Sequence, residues 1–134
     1  MDGSSLSGIE TEKSAFEADR KFRKELSAGI TSLALLSVLN YADDPMYGYQ
    51  IAKLMEDDDK QSVPLVKHGA LYPVLRSLEA RELLCSRVEP SVAGPPRRYY
   101  VITEKGREAH LRWVSIWKRT SRLIEKILGG TLDD

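Results

Sequence analysis

The apolar residues of this chain keep helical spacing as far as Leu83 and alternate with polar ones from Leu84, so helices must come first and a small β structure must follow. Leu84, Ser86 and Val88 alternate with Cys85, Arg87 and Glu89, and Arg98 to Ile102 is rich in Tyr, Val and Ile. Both stretches read as strands. Between them Pro90 to Pro96, with Gly94, suits neither a helix nor an inner strand, so the two strands form a hairpin with a long tip.

Upstream, the spacing predicts three helices. A capping-box pair, Ser14 and Glu17, marks a start, and the tail over 1–13 is expected to be disordered. From Leu26 the pattern strengthens, with Leu26, Ile30, Leu33 and Ser37 on one face and Leu35, Val38 and Leu39 widening it, up to about Tyr41. Asp43-Asp44-Pro45 offers an acidic cap and a proline for a second helix carrying Tyr47, Ile51, Leu54 and Met55 inward. Acids from Glu56 to Asp59 oppose the dipole at its far end, so it stops at about Asp57. A loop containing Pro64 runs to about Lys67, and Gly69 precedes a third helix with Leu71, Leu75 and Leu78 inward. His68, Tyr72 and Arg76, each four residues from the next, share its outer face, and Pro73 is tolerated close to the first turn.

After the hairpin, Thr103 can cap a last helix in which Ala109, Trp113, Ile116, Thr120, Leu123 and Ile127 form a seam flanked by Trp117 and Ile124, and Gly129-Gly130 ends it. A helix at the chain end cannot bury two tryptophans by itself, so this seam is expected to be a homodimer interface. The fold class that follows is mainly α with a small β-hairpin. It is a winged helix-turn-helix over 14–103, with an N-terminal helical extension, a dimerisation helix over 104–130 and a short tail over 131–134. In such a fold the third helix can enter the major groove of double-stranded DNA while the wing meets the backbone.

Composition narrows the function. The 134 residues suffice for one core. The single cysteine, Cys85, cannot form an intrachain disulfide, and His68 and His110 have no metal-ligand spacing, so no metal and no cofactor are expected. No Gly-rich phosphate loop or His partner motif suggests a catalytic site, so an enzyme is not expected. The absence of a long apolar run or signal peptide leads to an expectation of a cytoplasmic protein that does not span a membrane. Net charge is zero, which argues against indiscriminate coating of nucleic acid. The charges are nevertheless segregated. Six acids (Asp43, Asp44, Glu56 to Asp59) face Lys53 alone between Asp43 and Asp59, whereas ten Lys or Arg face five acids between Lys60 and Arg112. A polyanion would meet the second stretch.

Three fragments add a resemblance. Tyr47-Gly48-Tyr49-Gln50-Ile51 comes first. Gly69-Ala70-Leu71-Tyr72-Pro73 follows, with Leu75, Leu78 and Glu79, and then Gly94-Pro95-Pro96-Arg97-Arg98-Tyr99-Tyr100 with Thr103 and Gly106. In this order and approximate spacing, over about Leu26 to Gly106, they resemble the PadR-like family of winged-helix transcriptional regulators, and the short final helix resembles the compact subgroup that dimerises through it. The resemblance implies a sequence-specific DNA-binding regulator, a dimeric repressor on a two-fold-related operator. The DNA contacts it implies are Lys67, His68, Ala70, Tyr72, Pro73 and Arg76 from the third helix and its approach, and Arg97 and Arg98 from the wing. It also implies a planar aromatic small-molecule effector stacked at Trp117, with Trp113 beside it. The chain departs from the family's pattern at Ala70, where Thr or Ser is common, and at Glu82, where Gly is common. The competing reading is a winged-helix protein-interaction module with weak or lost DNA binding, which zero net charge keeps open.

Overall fold

The computed structural model describes residues 3–56 and 68–130. Helix α1 spans Gly3–Tyr41, strand β1 Met46–Tyr47, and helix α2 Gly48–Leu54. A 3-10 turn at His68–Ala70 leads into α3, Leu71–Ala80. Strands β2 (Leu84–Glu89) and β3 (Arg97–Ile102) follow, and α4 (Glu104–Leu128) closes the order. The sheet is antiparallel in the order β1-β3-β2, with Leu84 opposite Ile102, Glu89 opposite Arg97, and Tyr47 opposite Tyr99. This is the mainly helical winged helix-turn-helix that the change of period requires.

The core forms where the three stripes converge. Leu35, Leu36 and Leu39 of α1, Ile51 of α2, and Leu71, Leu75 and Leu78 of α3 meet Leu84, Tyr100 and Ile102 of the sheet. Each buried leucine contributes roughly 2 kcal/mol through apolar area removed from water. Leu71, Leu75 and Leu78 are all fully buried, so the outer face of α3 is fixed by its inner one.

Several expectations are corrected. The tail expected over 1–13 is helical from Gly3, and α1 runs unbroken to Tyr41, about 58 Å of helix. No proline interrupts it, and its Ala, Glu, Lys and Arg residues favour helix, so the Ser14 and Glu17 pair lies inside a helix instead of starting one. The second helix does not begin after Pro45, because Met46 and Tyr47 pair with Tyr100 and Tyr99 as a third strand. Extended Tyr47 (φ −97°, ψ 165°) is the residue before α2, and its N–H donates to Gln50 Oε1 at 3.1 Å. The helix is correspondingly short, and Leu54, expected inside, is exposed. The loop with Pro64, the acids Asp57 to Asp59, Lys67 and the 131–134 tail lie outside the described residues.

The departure at Glu82 keeps the left-handed helix end that glycine would favour. Glu82 has φ 65°, its N–H donates to the Glu79 carbonyl at 2.9 Å, and the Leu83 N–H donates to the Leu78 carbonyl at 2.9 Å. This is a Schellman closure. It turns the chain into β2 and presents the Glu82 carbonyl to Thr103, whose Oγ1 donates to it at 2.7 Å. The same Oγ1 accepts the Gly106 N–H at 3.0 Å, so Thr103 caps α4 as the sequence predicts and ties its start to the end of α3.

Candidate nucleic-acid interface

The outer face of α3 and the inner side of the wing enclose a groove of about 600 Å³. Tyr72, Arg76 and Glu79 come from α3, Arg97, Arg98 and Tyr100 from β3, and Tyr47, Gly48 and Tyr49 from the β1–α2 junction. Helical spacing of four brings Tyr72 and Arg76 to one face, and the β3 register carries the arginines to its rim. Both Tyr72 and Arg76 are exposed. Among the described residues no carboxylate pairs with Arg76.

Alternation along β3 gives the two wing arginines different partners. The Arg97 guanidinium lies over the Tyr47 ring, 4.4 Å from its centre, and Tyr47 meets Tyr99 edge to face at 5.5 Å. Arg98, on the side that holds buried Tyr100, donates from Nη1 to Ser86 Oγ at 3.0 Å. Ser86 Oγ donates in turn to the Glu79 carboxylate, 2.6 and 2.9 Å from its two oxygens. Burial raises the Tyr100 hydroxyl above its ordinary pKa, with Glu79 adding to the rise and Arg98 and Arg76 opposing it. The phenol therefore keeps its proton at neutral pH.

Of the residues expected at DNA, Tyr72, Arg76, Arg97 and Arg98 come together around this groove. Pro73 and Ala70 are exposed on the approach to α3, and the backbone of His68 belongs to the preceding turn. Ala70 makes no side-chain cap to α3, in line with the missing hydroxyl. Tyr49, Glu79 and Ser86 take part although the sequence did not single them out as contacts, and Tyr49 is exposed. The Tyr47-Gly48-Tyr49 fragment was the available signal for Tyr49. Nothing local marks Ser86, which reaches Glu79 only through the tertiary fold.

A second, apolar groove of about 390 Å³ runs between α1 and α4. Leu26, Ile30 and Leu33 line one side, and Trp113, Ile116, Trp117 and Thr120 the other. Trp117 is 45% exposed, and Leu123, Ile124 and Ile127 further along α4 are about as open. Ala109, expected in this seam, is instead 1% exposed and buried in the protomer's own core, where α4 packs against α1. Next to it, His110 Nε2 lies 2.9 Å from Ser37 Oγ, whose own proton goes to the Leu33 carbonyl at 2.8 Å. His110 therefore donates from Nε2. Asn40 Oδ1 accepts from Arg107 Nη1 at 3.3 Å, so polar contacts fix α4 against the end of α1.

The family model described as the transcriptional regulator PadR-like family matches residues 35–112. The chain belongs to this family. A crystal structure of a PadR-like transcription factor from Bacteroides fragilis is 25% identical, with 80% of this chain and 98% of that one aligned at a TM-score of 0.61. A PadR-like transcriptional regulator from Bacillus cereus is also 25% identical, with 78% and 96% aligned and a TM-score of 0.61. A PadR family regulator from Eggerthella lenta, at 22% identity, shares the fold over 90% of this chain and 96% of its own, with a TM-score of 0.61. No curated protein matches the chain. PadR-like proteins are DNA-binding transcriptional regulators and not enzymes, and the groove between α3 and the wing of this PadR-like chain is lined by three arginines and four tyrosines. Among the described residues no helix is long and apolar enough to cross a membrane, and no cluster of three His, Cys, Asp or Glu is placed to hold a metal.

Proposed function

We propose that this PadR-like regulator is a homodimeric repressor that binds a two-fold-related operator, with α3 in the major groove and the wing on the flanking backbone. The observation that carries the reading is the convergence of Arg76, Arg97 and Arg98 with Tyr72 on one groove. Guanidinium groups pair well with phosphate oxygens and keep their charge at any physiological pH. Local charge at the groove outweighs the neutrality of the whole chain, which favours DNA over a protein partner.

Dimerisation rests on the exposed apolar side of α4. Trp117, Leu123, Ile124 and Ile127 leave a surface that a second copy can cover, with Trp113, Ile116 and Thr120 at the near end of the seam. Two α3 helices must then sit about one DNA turn, roughly 34 Å, apart. A planar aromatic effector seated by Trp113 and Trp117 would act by changing the angle between the two α4 helices, and with it that spacing. Chromosomal DNA as the ligand implies work in the cytoplasm.

Electrophoretic mobility shifts with DNA from upstream of the protein's own gene and with a scrambled control test the reading. Binding preferential to the upstream fragment, weakened by Tyr72→Ala, together with a dimer by sedimentation that Trp117→Glu dissociates, is the expected result. Equal binding to both fragments by a monomer would remove it.

A further inference from the structure

The recognition surface contains a carboxylate, Glu79, on a face meant for a polyanion. Its placement shows what it does. Among the described residues Glu79 does not pair directly with Arg98, because the Ser86 hydroxyl stands between them. A direct carboxylate–guanidinium pair would occupy the two-pronged fork that a phosphate needs. The hydroxyl relay uses one Nη1 proton, and among the described residues the other four N–H donors of Arg98 are left available.

We infer that Glu79 and Ser86 are positioning residues for the wing: the carboxylate fixes the Ser86 proton, and the hydroxyl oxygen so oriented holds Arg98 at the rim of the groove in the pose that meets phosphate. Ser86 has a single proton, and at 2.6 Å from the nearer Glu79 oxygen that proton is committed. Its lone pairs are then turned toward Arg98. Without Glu79 the hydroxyl is free to rotate, and the guanidinium, on a long exposed side chain, loses the contact that restricts it. The relay also joins the last turns of α3 to both strands of the wing, so the two parts that must meet DNA together are held at one separation. This inference rests on the reading that the wing touches DNA.

The test is a double-mutant cycle on binding to a mixed-sequence DNA duplex of about three turns at low salt, where phosphate contacts dominate. Arg98→Ala is expected to lower affinity about tenfold, as the loss of one charge-assisted contact. Ser86→Ala, which changes no charge, is expected to lower it about threefold in the wild-type background and not at all in the Arg98→Ala background. Glu79→Gln and Glu79→Ala remove the same charge, but only Gln retains an oxygen to accept from Ser86. Glu79→Ala should therefore bind several-fold more weakly than Glu79→Gln, and that gap should close when Arg98 is Ala. Thermal unfolding of each variant separates a folding defect from a binding one. Equal affinities for Glu79→Ala and Glu79→Gln, with Ser86→Ala at wild-type affinity, would overturn the relay while Arg98→Ala still weakened binding. No effect of Arg98→Ala would take the wing contact away as well.

Discussion

Tyr72 lies across Gly48 so closely that a β-carbon at Gly48 would stand 2.7 Å from Cε1 and 2.9 Å from the hydroxyl oxygen of the tyrosine. The two residues lock the start of α2 to the outer face of α3. Gly48→Ala would meet the far end of a flexible ring, which can swing away, so the stability cost should stay under about 1 kcal/mol by denaturant unfolding. Tyr72 would leave its place in the groove. DNA affinity should therefore fall by more than the folding change alone can explain, and unchanged affinity would show that the ring's position is immaterial.

Gly106 presents the opposite case. A β-carbon there would overlap the Leu83 carbonyl oxygen and come within 2.7 Å of Ile102 Cγ1. One obstacle is backbone and the other is core. Gly106→Ala should lose about 3 kcal/mol, at the upper end of overpacking costs, as measured by urea unfolding, because α4 must lift from the turn it caps. A variant of wild-type stability would mean that α4 does not start where Thr103 places it.

Glu82 occupies a left-handed position with a side chain that disfavours it. Glu82→Gly should stabilise the protein by roughly 1 kcal/mol, the strain removed being larger than the flexibility gained by the unfolded chain. The ion pair with Lys105, 3.5 Å apart and largely exposed, adds little to the balance. A lower melting temperature for Glu82→Gly would contradict this.

His110 gives stability a dependence on pH. Burial lowers its pKa from the ordinary 6.5, so the folded state prefers the neutral ring. The unfolded chain takes up the proton first as pH falls, so this contribution is complete above about 6.5 and is lost between that value and the lower folded one. Urea unfolding from pH 7.5 down to 5 should show a decline that His110→Gln flattens. An identical slope in the variant would assign the decline to other groups.

The extent to which the fold could be read from sequence follows from the range of the forces involved. Leu71, Leu75 and Leu78 specify both faces of α3, and Pro90 to Pro96 with Gly94 specifies the wing tip, because those signals are local. Met46 and Tyr47 are too few to show a period of two, so β1 appears only once β3 is in place to pair with it. Ser14 followed by Glu17 has the same spacing inside a helix as at its start, which hid the continuity of α1. In the groove, Tyr72 and Arg76 were legible from spacing, and Arg97 and Arg98 from charge beside a turn. Glu79 and Ser86 were not, since their meaning lies in a contact between α3 and β2. Ala109 fits the apolar seam of α4 by spacing, yet it is buried in the core of its own protomer, where α4 packs against α1.

The most direct test of the central claim, a dimer that places two cationic grooves on one duplex, is the salt dependence of DNA binding for wild type and Arg97→Ala. Each phosphate contact contributes about 0.9 to the slope of log affinity against log salt. A dimer with both wings engaged loses two such contacts, so the slope should become shallower by about 1.8, whereas a single engaged wing would give about 0.9. A slope that changes by only about 0.9, or not at all, would contradict a dimer that sets the Arg97 of both wings on one duplex.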